Sequence, residues 1–198
     1  MLSRIKRQQE EAQAATRSGG ESAINQPGQK ESMAVLRLKN DLDNLDGICS
    51  KVVIPDPDNM LRMKVTVRPS RPSIWHGGLF DFLLEFREEY PYEGPRVRYV
   101  GPNRVWHPNI EGSEFAEKEG MEKASRKTEW SVCLSFQTDW KPTFSLRDVI
   151  IMIELLFQDP NPDDPLHGTS KQAAQMMKDD PVRFRTKARY WMSGHYID

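Results

Sequence analysis

The sequence predicts an α+β domain built as one helix, a four-stranded antiparallel meander and then further helices. Three observations lead there. Apolar residues first recur at three-four spacing over 35–45, then alternate with polar ones in several short runs between 52 and 99, and return to helical spacing only after 145.

A polar arm precedes the domain. Residues 1–32 carry Ser18-Gly19-Gly20, Gln26-Pro27-Gly28 and many Gln, Glu and Ser side chains, with too little apolar surface to offset the entropy of ordering them. Met1, Leu2 and Ile5 put apolar groups at the start of this flexible arm, where an anchor for a partner's groove and simple exposure are both open readings. The domain itself is expected over 33–198.

Val35, Leu38, Leu42 and Leu45 form one helical stripe that stops near Gly47. A run at 52–54 can join the sheet as a strand, but Pro55 and Pro57 confine it to an end. Leu61, Met63, Val65 and Val67 alternate with Arg62, Lys64, Thr66 and Arg68, as a strand with one buried face requires. Phe80, Phe82, Leu84 and Phe86 repeat the pattern after Gly77-Gly78, and Val97 with Tyr99 repeats it before the turn at Gly101-Pro102.

Between 111 and 130, six glutamates and four basic residues with Gly112 and Gly120 read as a charged loop. Ser145 and Asp148 then make a capping-box-like pair ahead of 146–157, a helix apolar on nearly every face and so expected to be buried between the sheet and later helices. Pro160, Pro162 and Pro165 remove donors and fix their own φ, which makes 159–165 a stiff loop. Two helices follow at 170–178 and 182–191, the second entered through Asp180-Pro181.

Charge and cysteine usage narrow the function classes. A net charge of −1, from 28 basic and 29 acidic residues, supplies no field to hold the protein on nucleic acid. Arg183, Arg185, Lys187 and Arg189 read as a solvated helix face. The two cysteines allow at most one bridge, residues 1–6 lack an apolar signal region, and the longest apolar run, 149–157, is too short for a bilayer. A reducing cytoplasmic or nuclear setting, away from membranes, is expected.

Cys133 carries the strongest chemical signal. It lies between His107-Pro108-Asn109 and Trp140-Lys141-Pro142, so an imidazole, an amide and a thiol share a region bounded by rigid prolines. His76, His107, His167 and His195 are scattered, and with no HExxH or CxxC spacing a metal site is not expected. Gly77-Gly78 opens a strand and lacks a P-loop lysine. A Cys–His hydrolase would draw its base from His107, His167 or His195, yet Pro108 holds His107 extended, and a buried imidazole bonded to backbone accounts for it better.

Together, Tyr90-Pro91 to Pro95, His107-Pro108-Asn109, Cys133-Leu134, Trp140-Lys141-Pro142 and the run 159–166 resemble the ordered motif set of the ubiquitin-conjugating enzymes, from about residue 33 to the C-terminus. Asp139-Trp140-Lys141-Pro142, the run 156–166, the ending Tyr196-Ile197 and the arm through Gln8-Gln9-Glu10-Glu11 look most like the neddylation branch. The resemblance implies that Cys133 accepts the C-terminal glycine of a ubiquitin-like modifier from its activating enzyme as a thioester and passes it to a substrate lysine, chiefly on cullins, without a cofactor. Ubiquitin is the alternative modifier. A non-catalytic binding module, which in the family characteristically lacks the cysteine, is the alternative class.

The resemblance also assigns residues. Asp164 is implied to border the acceptor lysine, against the plainer reading that Asp163 and Asp164 cap the next helix. Asn109 either donates to the oxyanion formed as the thioester is attacked or braces its loop. Arg37, Tyr92 and Pro142 fall at the positions that face a RING-type ligase. Met1, Leu2 and Ile5 are implied to dock on the activating enzyme, with an acetylated Met1 engaging a ligase accessory protein.

Three departures stand out against that pattern. Gly94 replaces the usual first proline of a pair, which is expected to loosen the ligase-side loop. The path from Cys133 to Trp140 is one residue short, and 111–130 is a charged insertion near the active site that either screens acceptors or passively extends a turn. Deleting 113–128 and following thioester formation and discharge separates these two. Cys49, a loop cysteine after Gly47, is expected to be inert.

Overall fold

The alternating segments pair in chain order. In the computed structural model, which describes residues 31–48, 50–112, 130–134 and 139–196, the first four strands form the expected antiparallel meander: β1 (Lys51–Val53), β2 (Arg62–Val67), β3 (Phe80–Glu85) and β4 (Arg96–Tyr99). Register aligns the inward residues into rows, Val65 opposite Phe82 opposite Tyr99, and Met63 opposite Leu84 opposite Val97. All six are buried. The other face is polar: Thr66 Oγ1 donates to Asp81 at 2.6 Å, and Lys64 and Arg98 pair with Asp81 and Glu85, both at 2.7 Å.

Two three-residue strands extend this sheet beyond β4. The order is β1-β2-β3-β4-β6-β5, with β5 at Ile110–Gly112 and β6 at Trp130–Val132. A loop over all of 111–130 is therefore too broad an expectation, since both ends belong to the sheet. Three residues are too few to display an alternation, and what pairs these strands is the buried Ile110 opposite the buried Val132. Residues 113–129 lie outside the described residues, as do 1–30, which hold nearly all of the expected arm.

Helix α1 (Met33–Asp43) starts at Ser32, whose side chain accepts from Val35 N, and buries Ala34, Leu38 and Asp41 at helical spacing. Helix α2 (Leu146–Gln158) opens with the capping box that the sequence announced, Ser145 with Asp148. Leu146, Val149, Ile150, Ile153 and Phe157 are its buried stripe. Phe157, in the last turn, meets Phe80 at 4.4 Å and Trp75 at 5.7 Å between ring centroids.

The outer side of α2 departs from expectation. Ile151 is 37% and Leu155 51% exposed, so the helix is covered on one side only. Helices α3 (Thr169–Asp179) and α4 (Pro181–Met192) pack on each other, and α3 packs on β5, instead of closing over α2. The proline-stiffened loop between α2 and α3 carries the chain away from that face. Asp180 caps α4 through Arg183 N, ahead of Pro181, and Phe184, Lys187, Ala188 and Trp191 are its buried residues; Lys187, expected on a solvated face, instead lies over the Trp106 ring at 4.1 Å.

Candidate active site

His107, Pro108 and Asn109 form the turn that delivers the chain into β5. His107 is buried and wholly occupied with backbone: Nε2–H donates to Leu156 O at 2.9 Å and Nδ1 accepts from Asn109 N at 2.9 Å. Burial lowers its pKa to about 4, partly offset by the bond to Leu156. A neutral imidazole with both nitrogens used is a brace joining the turn to the end of α2, as its place before Pro108 suggested, and no base for the thiol.

Asn109 is equally committed. Its Nδ2 donates to Asn161 O at 3.0 Å and to Asp164 O at 3.2 Å, while Oδ1 accepts from Asn161 N at 2.9 Å. Of the two roles left open for it, bracing is the one that these contacts perform, because both amide hydrogens point at loop carbonyls. The loop is fastened again where Leu166 N donates to Pro108 O at 3.1 Å.

Cys133 follows β6 directly. Its N–H donates to Asn109 O at 3.0 Å, which sets the thiol residue beside the turn. The cysteine is free and half-buried. A cavity of about 180 Å³ opens at it, lined by Asn109, Leu134, Leu155, Leu156, Asp159 and Asp164 among others. That is below the roughly 300–1,000 Å³ of small-molecule sites and suits an extended chain end or one side chain. Burial raises the thiol's pKa, and the Asp164 carboxylate raises it further.

Asp164 is exposed on the rim of this groove, so structure brings Cys133, Asn109 and Asp164 together from three separate segments. Neither aspartate of the loop caps the next helix. Asp163 pairs with Lys178 at 2.7 Å, and the N-cap of α3 is Gly168, at φ +59. The cap's work falls to Glu111 of β5, which accepts from Thr169 Oγ1 and Ser170 N. Sequence reasoning misses this residue. A partner 59 positions away leaves no local pattern to find.

The positions expected to face a ligase gather elsewhere. Arg37 Nη1 donates to Pro142 O at 3.2 Å and Nη2 to Phe144 O at 3.0 Å, while Nε binds Asp41 at 2.8 Å. Arg37 therefore holds the loop that presents the exposed Pro142. Tyr92 is 78% exposed. Its loop is tied down where Trp140 Nε1 donates to Pro91 O at 2.7 Å.

Gly94 brings its backbone close against Trp140. A Cβ there would stand 2.8 Å from Trp140 Cδ2 and Cε3, so the missing side chain lets backbone and indole close on each other. Met1, Leu2, Ile5 and Cys49 lie outside the described residues, as does most of the short path from Cys133 to Trp140.

Comparison with known proteins agrees with this arrangement. A family model described as ubiquitin-conjugating enzyme matches residues 30–114 and 127–192. NEDD8-conjugating enzyme Ubc12 of Arabidopsis thaliana is 33% identical over 194 residues, which is 96% of this chain and 90% of that protein. NEDD8-conjugating enzyme UBC12 of Saccharomyces cerevisiae is 34% identical over 175 residues, 84% of this chain and 81% of that one. The solved structure of S. cerevisiae Ubc12 superposes with a TM-score of 0.67 at 28% identity, over 98% of this chain and 94% of the other. Five motifs in order, a meander flanked by helices, a half-buried thiol lining a small cavity and a family match over most of the length have one common explanation: this chain belongs to the ubiquitin-conjugating enzyme family.

Proposed function

We propose that the protein carries NEDD8 as a thioester on Cys133 and transfers it to a lysine, with cullins as the principal acceptors and the cytoplasm or nucleus as the setting. The observation that carries the chemistry is the placement of Cys133, half-buried on a cavity of about 180 Å³, too small for a large ligand but suited to a chain end. The choice of modifier is supported by relatives named as NEDD8-conjugating enzymes.

Two substitutions at one carbonyl make up the reaction. Cys133 Sγ attacks the thioester on the activating enzyme; a C–S bond to Cys133 forms, the one to the activating enzyme breaks, and the proton from Cys133 ends on the departing thiol. A lysine amine then attacks the same carbonyl, a C–N bond replaces the C–S bond, and Cys133 regains a proton. The first step needs no dedicated base, because a small thiolate fraction is already strongly nucleophilic.

An ammonium near pKa 10.4 must lose its proton before the second step. Asp164, on the groove's rim, is the carboxylate that receives and orients it. Asn109 fixes the height of the Asp164 peptide above the groove. Tyr92 and Pro142 form the surface offered to a RING-type ligase, with Arg37 holding the Pro142 loop from behind. Met1, Leu2 and Ile5 engage the activating enzyme, and Met1, when acetylated, a ligase accessory protein; both roles rest on the sequence resemblance.

Side-by-side charging with NEDD8 and with ubiquitin, each with its own activating enzyme, tests the proposal. A reductant-sensitive adduct with NEDD8 that Cys133→Ser converts to a reductant-stable oxyester supports it. Charging by ubiquitin alone would replace the modifier, and loss of charging in Cys49→Ser would move the site.

A further inference from the structure

Helix α3 begins without a cap of its own. Its N-cap, Gly168, has no side chain to accept a bond, and the Ser170 amide is satisfied from another element altogether, by the carboxylate of Glu111 in β5. Thr169 Oγ1 donates to both oxygens of the same carboxylate, at 2.8 and 2.9 Å, and Ser170 Oγ donates to Ile110 O at 3.0 Å. Glu111 is 8% exposed, so its charge is turned inward onto the first turn of the helix, where a negative group is most favourable. Hydrogen bonds to a charged acceptor are the stronger kind, and leaving their donors buried and unmade is costly.

These bonds complete a three-point suspension of the loop that carries Asp164. Asn109 holds its upstream part at Asn161 and Asp164. Pro108 O holds it at Leu166. Glu111 holds the point where it becomes α3. All three anchors come from four consecutive residues, Pro108 to Glu111, and the carbonyl of Asn109 also accepts from Cys133 N. One short segment thus sets the loop and the thiol relative to each other.

We propose that Glu111 is a positioning residue for the acceptor step: by fixing the start of α3 it keeps Asp164 over the groove at Cys133. The inference rests on the reading of Asp164 as the carboxylate that meets the incoming lysine. Glu111 touches neither the thiol nor the groove. Charging from the activating enzyme, which makes no use of Asp164, is independent of it.

The test uses the full chain charged with NEDD8 by its activating enzyme, then chased with free lysine over a range of concentrations. Glu111→Ala should charge at the wild-type rate and discharge slower by on the order of tenfold to a hundredfold, the loss that a small misplacement of a reacting group brings. Glu111→Gln keeps an acceptor oxygen for Ser170 N and should recover most of the rate. Glu111→Ala combined with Asp164→Ala should be no slower than Asp164→Ala alone, because the first acts through the second. Should Glu111→Ala fail to fold, Thr169→Val removes only the hydroxyl bonds and must still slow discharge while sparing charging.

Normal discharge by Glu111→Ala or Thr169→Val, beside impaired discharge by Asp164→Ala, overturns the role of Glu111 and leaves the functional reading standing. Losses that multiply in the double variant overturn it equally. If Asp164→Ala itself discharges normally, or the wild type takes up no modifier, the reading of the site fails and the inference fails with it.

Discussion

Tyr90 Oη donates to Asp41 Oδ2 at 2.5 Å inside the protein, joining the loop between β3 and β4 to the end of α1. The same carboxylate accepts from Arg37 Nε at 2.8 Å and from Leu146 N, the first amide of α2, at 3.0 Å. One buried acid therefore serves a phenol, a guanidinium and a helix terminus. It occupies a position on the buried stripe of α1 that an apolar side chain would ordinarily fill, and three donors are what make it tolerable there.

Removing Asp41 should be severe for that reason. Asp41→Ala strands three donors at once and is expected to lower stability by about 3 kcal/mol or more, whereas Tyr90→Phe, which leaves Asp41 with two partners, should cost about 1 kcal/mol. Urea denaturation measures both. Equal losses in the two variants would show that the phenol, not the carboxylate, is the centre of the network. Burial first, and then the bond to Asp41, pushes the Tyr90 pKa far up. A raised folded-state pKa makes its contribution complete below about 10 and progressively lost at higher pH, so Tyr90→Phe should also flatten the alkaline fall in stability.

His107 governs the acid side. Its pKa of about 4 in the folded state lies below the ordinary value near 6.5, because burial disfavours the imidazolium. Between those two values the unfolded chain binds the proton that the folded protein refuses. Stability is therefore expected to fall as pH drops from 6.5 toward 4, by as much as about 3 kcal/mol from this group, and then to level off. Denaturation profiles from pH 4 to 7 check this. His107→Gln should be less stable at pH 7 but show a shallower slope; an unchanged slope would assign the acid sensitivity elsewhere.

Gly94 is expected to resist enlargement. Its close approach to Trp140 is a matter of space, since a Cβ would come within 2.8 Å of the indole. Gly94→Ala should lower stability by about 1–3 kcal/mol, the usual penalty of overfilling a packed site. Thermal denaturation of Gly94→Ala with and without Trp140→Phe is the check. A smaller ring should relieve part of the loss, and no relief would mean that the glycine is needed for its backbone alone.

The meander and α1 are legible in the sequence because each strand and helix shows its own period over enough residues. Phe80, Phe82 and Leu84 need no distant partner to reveal a buried face, and Ser145 with Asp148 announces its helix within four residues. The site is legible in the ordered motifs and the resemblance they carry, but not in roles. His107, Asn109, Cys133 and Asp164 can be picked out, yet whether Asn109 braces the loop depends on Asn161, 52 positions away. The coverage of α2 escapes the sequence for a related reason. An apolar helix face states only that a covering would be favourable, and the proline loop at 159–165 decides which way the next helix goes.

Asp164 and Cys133 are electrostatically coupled, and that coupling gives a test free of any partner protein. Burial is the larger cause of the thiol's raised pKa, and the carboxylate is the second. Asp164→Asn should lower the thiol pKa without changing its burial, so alkylation of Cys133 by iodoacetamide near neutral pH should become faster, because only the thiolate reacts. On the role proposed for Asp164, transfer to lysine should move the opposite way and become slower. A merely disrupted loop would expose the thiol in both Asp164→Asn and Asn109→Ala alike. The distinguishing measurement is the pH dependence of alkylation: Asp164→Asn should shift its midpoint to lower pH while keeping the plateau rate, and a raised plateau with an unmoved midpoint would show that access, not charge, had changed.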